Sequence, residues 1–277
     1  MKVTVLIENT CETPLEGLQK EHGLSLWIEQ AGTKLILDTG SSGAFVENAR
    51  LLGIDLTEAE CVLISHAHYD HTGGIGAYFK ECPEGKVVAR KEIQDLFYSG
   101  DRFIGAPTMA FMNSSRFFYV EKTVKLQEIF FLISHKPDHL APIGERNHLY
   151  KMQEGSLVPD DFLHEITVAV KTEKGLVIFS SCCHSGLKNT LQEVRQIFTR
   201  PIYAFVGGLH LKGKDEQGNE ICTYSDSELD EMAAAIRREK IQKVYIGHCT
   251  GAVGFAKLKE RLGDIVEPLT TGLTFEL

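Results

Sequence analysis

Four potential metal ligands fall within six residues of this 277-residue chain, in the run His66-Ala67-His68-Tyr69-Asp70-His71. The run follows Cys61–Ile64, a short continuous apolar stretch of the kind a fully buried strand shows, and it leads through Thr72-Gly73-Gly74 into a helix. Ligands this close in sequence cannot share one face of any regular element. A turn at a strand's end can splay them, so that His66 and His68 face one metal while Asp70 and His71 face another. Neutral imidazoles suit zinc and iron, and a carboxylate adds charge and can orient a metal-bound water. The donor set points to a divalent metal, two ions per chain, with zinc ahead of iron or manganese.

The flanking pattern is that of an α/β protein with its strands inside. Val3–Ile7 reads as a strand, and Leu24–Ile28 and Thr33–Leu37 flank Gln30-Ala31-Gly32 as a hairpin. Phe45–Leu52 has helical spacing and stops at Gly53. The last third alternates strand and helix. Val177–Phe179 precedes a helix through Leu187, Leu191, Val194 and Phe198. Ile202–Val206 precedes a capping box, Ser225 to Glu228, and Val244–Ile246 precedes a helix closed by Gly263. Three more histidines sit where these strands end: His184, His210 and His248. Open α/β sheets place ligand sites beyond the carboxyl ends of their strands, so one sheet edge brings all three beside the first cluster. His184 and His248 are expected to ligate metal, and His210 to face the substrate.

Composition narrows the function classes. No apolar run approaches the ~20 residues that cross a bilayer, and Met1–Ile7 lacks the long apolar centre of a signal peptide, so a cytoplasmic protein without membrane contact is expected. The formal net charge of −9 disfavours a nucleic-acid partner, whose phosphates must be neutralised. The seven cysteines show no CxxC pair, which argues against a zinc ribbon or a disulfide framework. The sequence specifies no oligomeric state. One domain spans 1–277, with an insertion or lid expected around 97–162, where aromatics such as Phe111, Phe117, Phe118, Tyr119, Phe130 and Phe131 mix with turn residues.

The H-x-H-x-D-H run, the preceding Leu35-Ile36-Leu37-Asp38-Thr39-Gly40 and the terminal Gly247-His248 resemble the metallo-β-lactamase superfamily over nearly the whole chain. That resemblance implies a four-layer αβ/βα sandwich, with Asp38 buried behind the metal-bearing loop and orienting it. Leu6-Ile7-Glu8-Asn9-Thr10, His22-Gly23-Leu24-Ser25, Cys183-His184-Ser185-Gly186, Gly207-Gly208-Leu209-His210 and His248-Cys249-Thr250-Gly251 are similar to the group that includes the archaeal dihydropterin synthase of methanopterin biosynthesis.

One departure stands out. The superfamily's usual metal-bridging aspartate is absent from the corresponding turn, Ser180-Ser181-Cys182-Cys183-His184. His164 or Glu165, before the strand Ile166–Val170, could fill the place of the usual histidine there. Cys182 and Cys183 read either as small buried residues at a strand end or as a thiolate ligand. The expected activity is hydrolysis by a metal-activated water, with Asp70 holding it in register and His210 stabilising charge on the substrate oxygen. Helices opening after His71, His184 and His248 aim their amino ends at one region, which favours a small anionic substrate and phosphoester or pyrophosphate chemistry. Two rivals stand beside it. One is a dihydropterin synthase-like transfer of a pterin from its pyrophosphate to an arylamine, with the middle aromatics stacking on the ring. The other is a non-catalytic metabolite binder.

Overall fold

Alternation along the strands decides which way each sheet faces. In Thr33–Leu37, Leu35 and Leu37 enter one buried cluster with Val168, Val170, Val177 and Phe179 from the second half of the chain. Ile36, between them, points the other way, into a cluster with Phe45, Val46, Ile75 and Tyr78. The second half mirrors this. Val177, Phe179, Ala204 and Val206 join the shared cluster, while Leu176, Ile178 and Phe205 pack against Leu191, Val194, Leu229 and Ile236. Three apolar layers separated by two sheets make a helix–sheet–sheet–helix sandwich, as expected.

The computed structural model describes residues 1–106, 113–126, 128–135 and 143–277. Its first sheet runs Thr274–Glu276, Lys2–Ile7, Ser25–Gln30, Thr33–Leu37, Cys61–Leu63, Val87–Arg90, Phe117–Val120. The second runs Val266–Pro268, Lys243–Ile246, Ile202–Gly207, Gly175–Ser180, Ile166–Thr172, Phe130–Ser134, Val124–Lys125. The hairpin turn is made by Ala31 and Gly32, both left-handed with φ of 50° and 83°, the geometry that matches strand twist in a two-residue loop. Helices Leu187–Ile197, Asp226–Arg238 and Gly251–Leu262 carry the parallel crossovers, the middle one opening with the predicted Ser225–Glu228 capping box.

Two registers place the site. Leu37 pairs with Leu63, so the loops that follow those strands, carrying Asp38 and His66, leave the first sheet side by side. Ser180 pairs with Gly207 and Gly207 with Ile246, so three strands of the second sheet end level. Both sets of strand ends meet at one edge of the sandwich.

The segment 97–162 is divided rather than inserted as a unit. Phe117–Val120 extends the first sheet, and Val124–Lys125 and Phe130–Ser134 extend the second. Ser156–Pro159, Leu149–Gln153, Phe97–Ser99 and Arg102–Phe103 form a separate four-stranded sheet. Phe111 and parts of the expected lid lie outside the described residues. Among the described residues, no helix is long and apolar enough to cross a membrane.

Candidate metal centre

Asp38 is the keystone of the first half of the site. It leaves its strand with a φ of 63°, fully buried, and its carboxylate collects three donors. The Ser65 amide reaches Oδ1 at 2.7 Å, the Ser65 hydroxyl reaches Oδ2 at 2.7 Å, and His71 Nδ1–H reaches Oδ2 at 2.8 Å. The Ser65 hydroxyl proton is committed to Asp38, so at 2.8 Å its oxygen accepts from His66 Nδ1–H. One carboxylate thereby sets the tautomer of two imidazoles and turns the Nε2 lone pairs of His66 and His71 toward a common centre. Gly73 and Gly74 let this loop lie on the 39–42 turn. A Cβ at Gly73 would sit 2.1 Å from the Ser41 carbonyl oxygen, and one at Gly74 2.3 Å from that of Thr39.

The second half contributes rings from the level strand ends. His66, His68 and His184 bring their ligand nitrogens within 4.8 Å of one another, and all three are buried. His66 Nε2, His68 Nε2 and both ring nitrogens of His184 are buried without a hydrogen-bond partner among the described residues. A polar atom taken from water without a replacement partner is costly, and three converging lone pairs are what a cation would relieve. Desolvation holds all three imidazoles below their ordinary value, well below for His66 and His184, so they stand neutral and ready to ligate.

A second group gathers on the Asp70 side. Asp70 Oδ2 lies 3.3 Å from His248 Nε2, 3.7 Å from His71 Nε2 and 3.2 Å from His22 Nε2, and His71 and His248 Nε2 are 3.1 Å apart. Burial alone would raise Asp70, but the facing His71 and His248 hold it well below the carboxylate range. Burial is the largest influence on His248 and would lower it, but the hydrogen bond to Asp70 together with the negative charge of Asp70, Cys249 and Glu8 brings it to about 9. His248 is aimed from behind: Asn9 Oδ1 accepts from Nδ1–H at 3.0 Å, and the Glu8 carboxylate accepts its backbone N–H. Cys182 Sγ lies 3.3 Å from His71 Nε2 and is within 4.8 Å of the ligand nitrogens of both His66 and His71, between the two groups.

The residues left open by the sequence divide as follows. His164 accepts from the Ala67 amide at Nδ1, 2.9 Å, and faces Asp160 at 3.0 Å through Nε2, so both ring nitrogens are engaged. Glu165 takes the amides of His184 and Ser185, each at 2.7 Å, and the Ser185 hydroxyl. It holds the turn that presents His184. Behind it His135 bridges Thr167, at 3.0 Å, and Glu193. Cys183 points elsewhere, 3.5 Å from the Thr190 hydroxyl. His210 lies beside His184, ring centroids 4.4 Å apart, with its Nδ1 buried and unpartnered among the described residues. Cys183, His210 and His248 share left-handed backbone, with φ of 55°, 49° and 50°, a conformation that costs on the order of 1 kcal/mol each and concentrates at working sites.

A cavity of about 400 Å³ opens over the cluster, lined by His22, His68, Asp70 and His210 and by Arg102, Arg146, Lys212 and Lys214. Arg146 is held by an ion pair with Glu228 and lies 4.3 Å over the Tyr224 ring, and Lys212 lies 3.4 Å from Glu220. Sequence reasoning missed His22, Asp160, Glu8, Asn9 and this cationic lining. The motifs around Glu8-Asn9 and His22-Gly23 were legible, but their roles need the fold.

Strand-end loops, a split histidine cluster and two facing sheets point to a class: the chain carries a metallo-β-lactamase domain and is similar, over nearly its whole length, to enzymes of that superfamily. The sequence model described as Metallo-beta-lactamase superfamily matches residues 19–150. Among individual proteins, the chain is 27% identical, over 91% of its own length and 88% of the relative's, to the 7,8-dihydropterin-6-methyl-4-(β-D-ribofuranosyl)-aminobenzene-5'-phosphate synthase of Methanocaldococcus jannaschii. It superposes on the crystal structure of Tm1679, a metal-dependent hydrolase of the beta-lactamase superfamily, with a TM-score of 0.82, 28% identity and coverage of 100% and 99% of the two chains. YhfI of Bacillus subtilis, at 12% identity, 99% and 98% coverage and a TM-score of 0.58, shares the fold.

Proposed function

We propose that this enzyme is a metal-dependent hydrolase that cleaves a phosphoester or pyrophosphate bond in a small anionic molecule. The observation that carries the reading is the cationic lining of the cavity. Arg102, Arg146, Lys212 and Lys214 surround the opening above His68 and Asp70 in a chain whose formal net charge is −9. Local positive charge on an acidic protein concentrates anions where they react. Two divalent metals, zinc ahead of iron or manganese, would be held by His66, His68 and His184 and by Asp70, His71 and His248, and when bound would supply Lewis acidity and lower the pKa of a water.

The chain's own groups do the rest. Arg146 and Lys212, fixed by their carboxylate partners, orient the anionic end of the substrate. His210, half-buried at the cavity, donates to the substrate oxygen on which charge develops. Asp70, kept ionised by its histidine neighbours, accepts a proton-bearing group on the opposite side.

A transferase reading has one observation in its favour, the likeness to the archaeal synthase over 91% of the chain. There an arylamine, not water, would displace pyrophosphate from a pterin. Of the middle aromatics expected to stack on such a ring, Phe117, Phe118, Tyr119, Phe130 and Phe131 lie in strands that do not line the cavity, while Tyr69 lies on its wall.

The test is a substrate panel on zinc- and manganese-loaded enzyme: phosphomonoesters, phosphodiesters, pyrophosphate esters and lactones. Phosphoester or pyrophosphate turnover is expected, with Lys214→Ala raising KM about tenfold and sparing kcat, as loss of a charge-assisted contact worth roughly 1.5 kcal/mol requires. Faster turnover of neutral lactones overturns the reading, and pyrophosphate release that needs an added arylamine replaces it with the transferase.

A further inference from the structure

Three neighbouring parallel strands of the second sheet end level, and each is followed by a donor outside the two histidine groups. Cys182 follows Gly175–Ser180, His210 follows Ile202–Gly207, and Cys249 follows Lys243–Ile246. Their ligand atoms all lie within 4.8 Å of one another, with both cysteines buried and His210 half-buried. We propose that Cys182, His210 and Cys249 form a separate thiolate-rich position for a thiophilic divalent cation such as zinc, abutting the histidine cluster.

Three observations beyond proximity support it. Among the described residues His210 Nδ1 is buried without a hydrogen-bond partner, so this ring nitrogen has lost water and gained none of them in exchange. The Cys249 sulfur has room only because residue 208 lacks a side chain: a Cβ at Gly208 would meet Cys249 Sγ at 2.4 Å. The His210 backbone amide donates to Cys249 Sγ at 3.3 Å, which fixes the sulfur beside the His210 ring. Zinc takes thiolates at about 2.3 Å and imidazole at about 2.0 Å, which places tetrahedral donors roughly 4 Å apart. Binding would displace the two thiol protons to solvent and leave the sulfurs as anions on the metal. Cys182 also reaches the His66–His71 group, so the two positions share that residue as an edge. Cys183, though adjacent in sequence, turns toward Thr190 and takes no part.

The position goes beyond the hydrolase reading and does not depend on it. It is tested on chelator-stripped full-length protein titrated with cobalt(II) under anaerobic conditions. The wild-type chain is expected to show a thiolate-to-cobalt charge-transfer band. In Cys249→Ser the bound cobalt should fall by one equivalent, and the charge-transfer band of that position should be lost with it. Cys183→Ser should leave both unchanged. Cadmium NMR of the wild-type chain gives an answer that needs no variant: one resonance in the thiolate-coordinated range, distinct from the histidine sites. A wild-type chain without a charge-transfer band or thiolate-type cadmium resonance overturns the proposal, as does Cys249→Ser at full wild-type intensity. Phosphoester turnover can persist in either case, which separates this failure from failure of the hydrolase reading.

Discussion

The two sides of the centre use a buried carboxylate in opposite ways. On the first sheet, Asp38 grips the rings: it fixes the tautomers of His71 directly and of His66 through the Ser65 hydroxyl. On the second sheet, Glu165 grips the backbone. It collects the amides of His184 and Ser185 and leaves the His184 ring alone, whose nitrogens are both without a partner among the described residues. The first design sets proton placement on two rings from one residue. The second sets the direction of a single ring through a turn whose Cys183 is held in left-handed backbone. Ligands clustered in sequence can share one carboxylate, whereas a ligand alone on its strand end needs its own.

Asp38→Asn should break this arrangement most severely. Three donors converge on two oxygens, and an amide in their place offers one acceptor and aims an NH₂ group at a remaining donor. Disrupting a buried charged partnership costs roughly 3–5 kcal/mol, or a midpoint lowered by roughly 10 °C in a chain of this size. Because both His66 and His71 lose their proton pattern, plasma mass spectrometry should find metal depleted at both histidine positions. A variant that retains either equivalent at wild-type affinity would show that Asp38 does not set both rings.

Glu165→Gln is the milder counterpart. Its amide end leaves one backbone donor unsatisfied, a loss of roughly 1–3 kcal/mol. The effect should be confined to His184, so the protein keeps the Asp70–His71–His248 position and loses affinity only where His66, His68 and His184 converge. Equal depletion of both positions would erase the distinction between ring-held and backbone-held ligands.

The same contrast explains what could be read from the sequence. His66, His68, Asp70 and His71 announce themselves because they are contiguous and lie between a buried strand and a glycine pair. The parallel strands and helices of the last third were visible through their periodicity, and the capping box at Ser225 through its spacing. His184 and His248 were visible only as histidines at strand ends, where the register Ser180–Gly207–Ile246 that aligns them is a property of the sheet. Cys182 and Cys249 were illegible as partners, being 67 residues apart and joined by sheet pairing. The cationic lining was illegible for a related reason: Arg102 and Arg146 come from the segment with weak periodicity, and Lys212 and Lys214 from a short hairpin strand, so only folding gathers them.

The smallest expected effect reads the comparison through thiol chemistry. Of the seven cysteines, Cys11 and Cys222 are half-buried and the other five are buried. Burial pushes the thiols of Cys61 and Cys183 up to about 12 and that of Cys82 up to about 11. The thiolate is the reactive form, so at pH 8 these groups present almost no nucleophile and little access. Brief alkylation of the native metal-free chain followed by mass spectrometry should therefore modify Cys11 and Cys222 and spare Cys61, Cys82 and Cys183. Asp38→Asn acts on the other sheet and should leave Cys183 protected as long as the fold holds. Glu165→Gln loosens the turn on which Cys183 sits, and should bring that thiol into reach as an additional modified site. A Cys183 equally protected in both variants would mean that the turn is held by packing around Cys183 and Leu187 rather than by the Glu165 carboxylate.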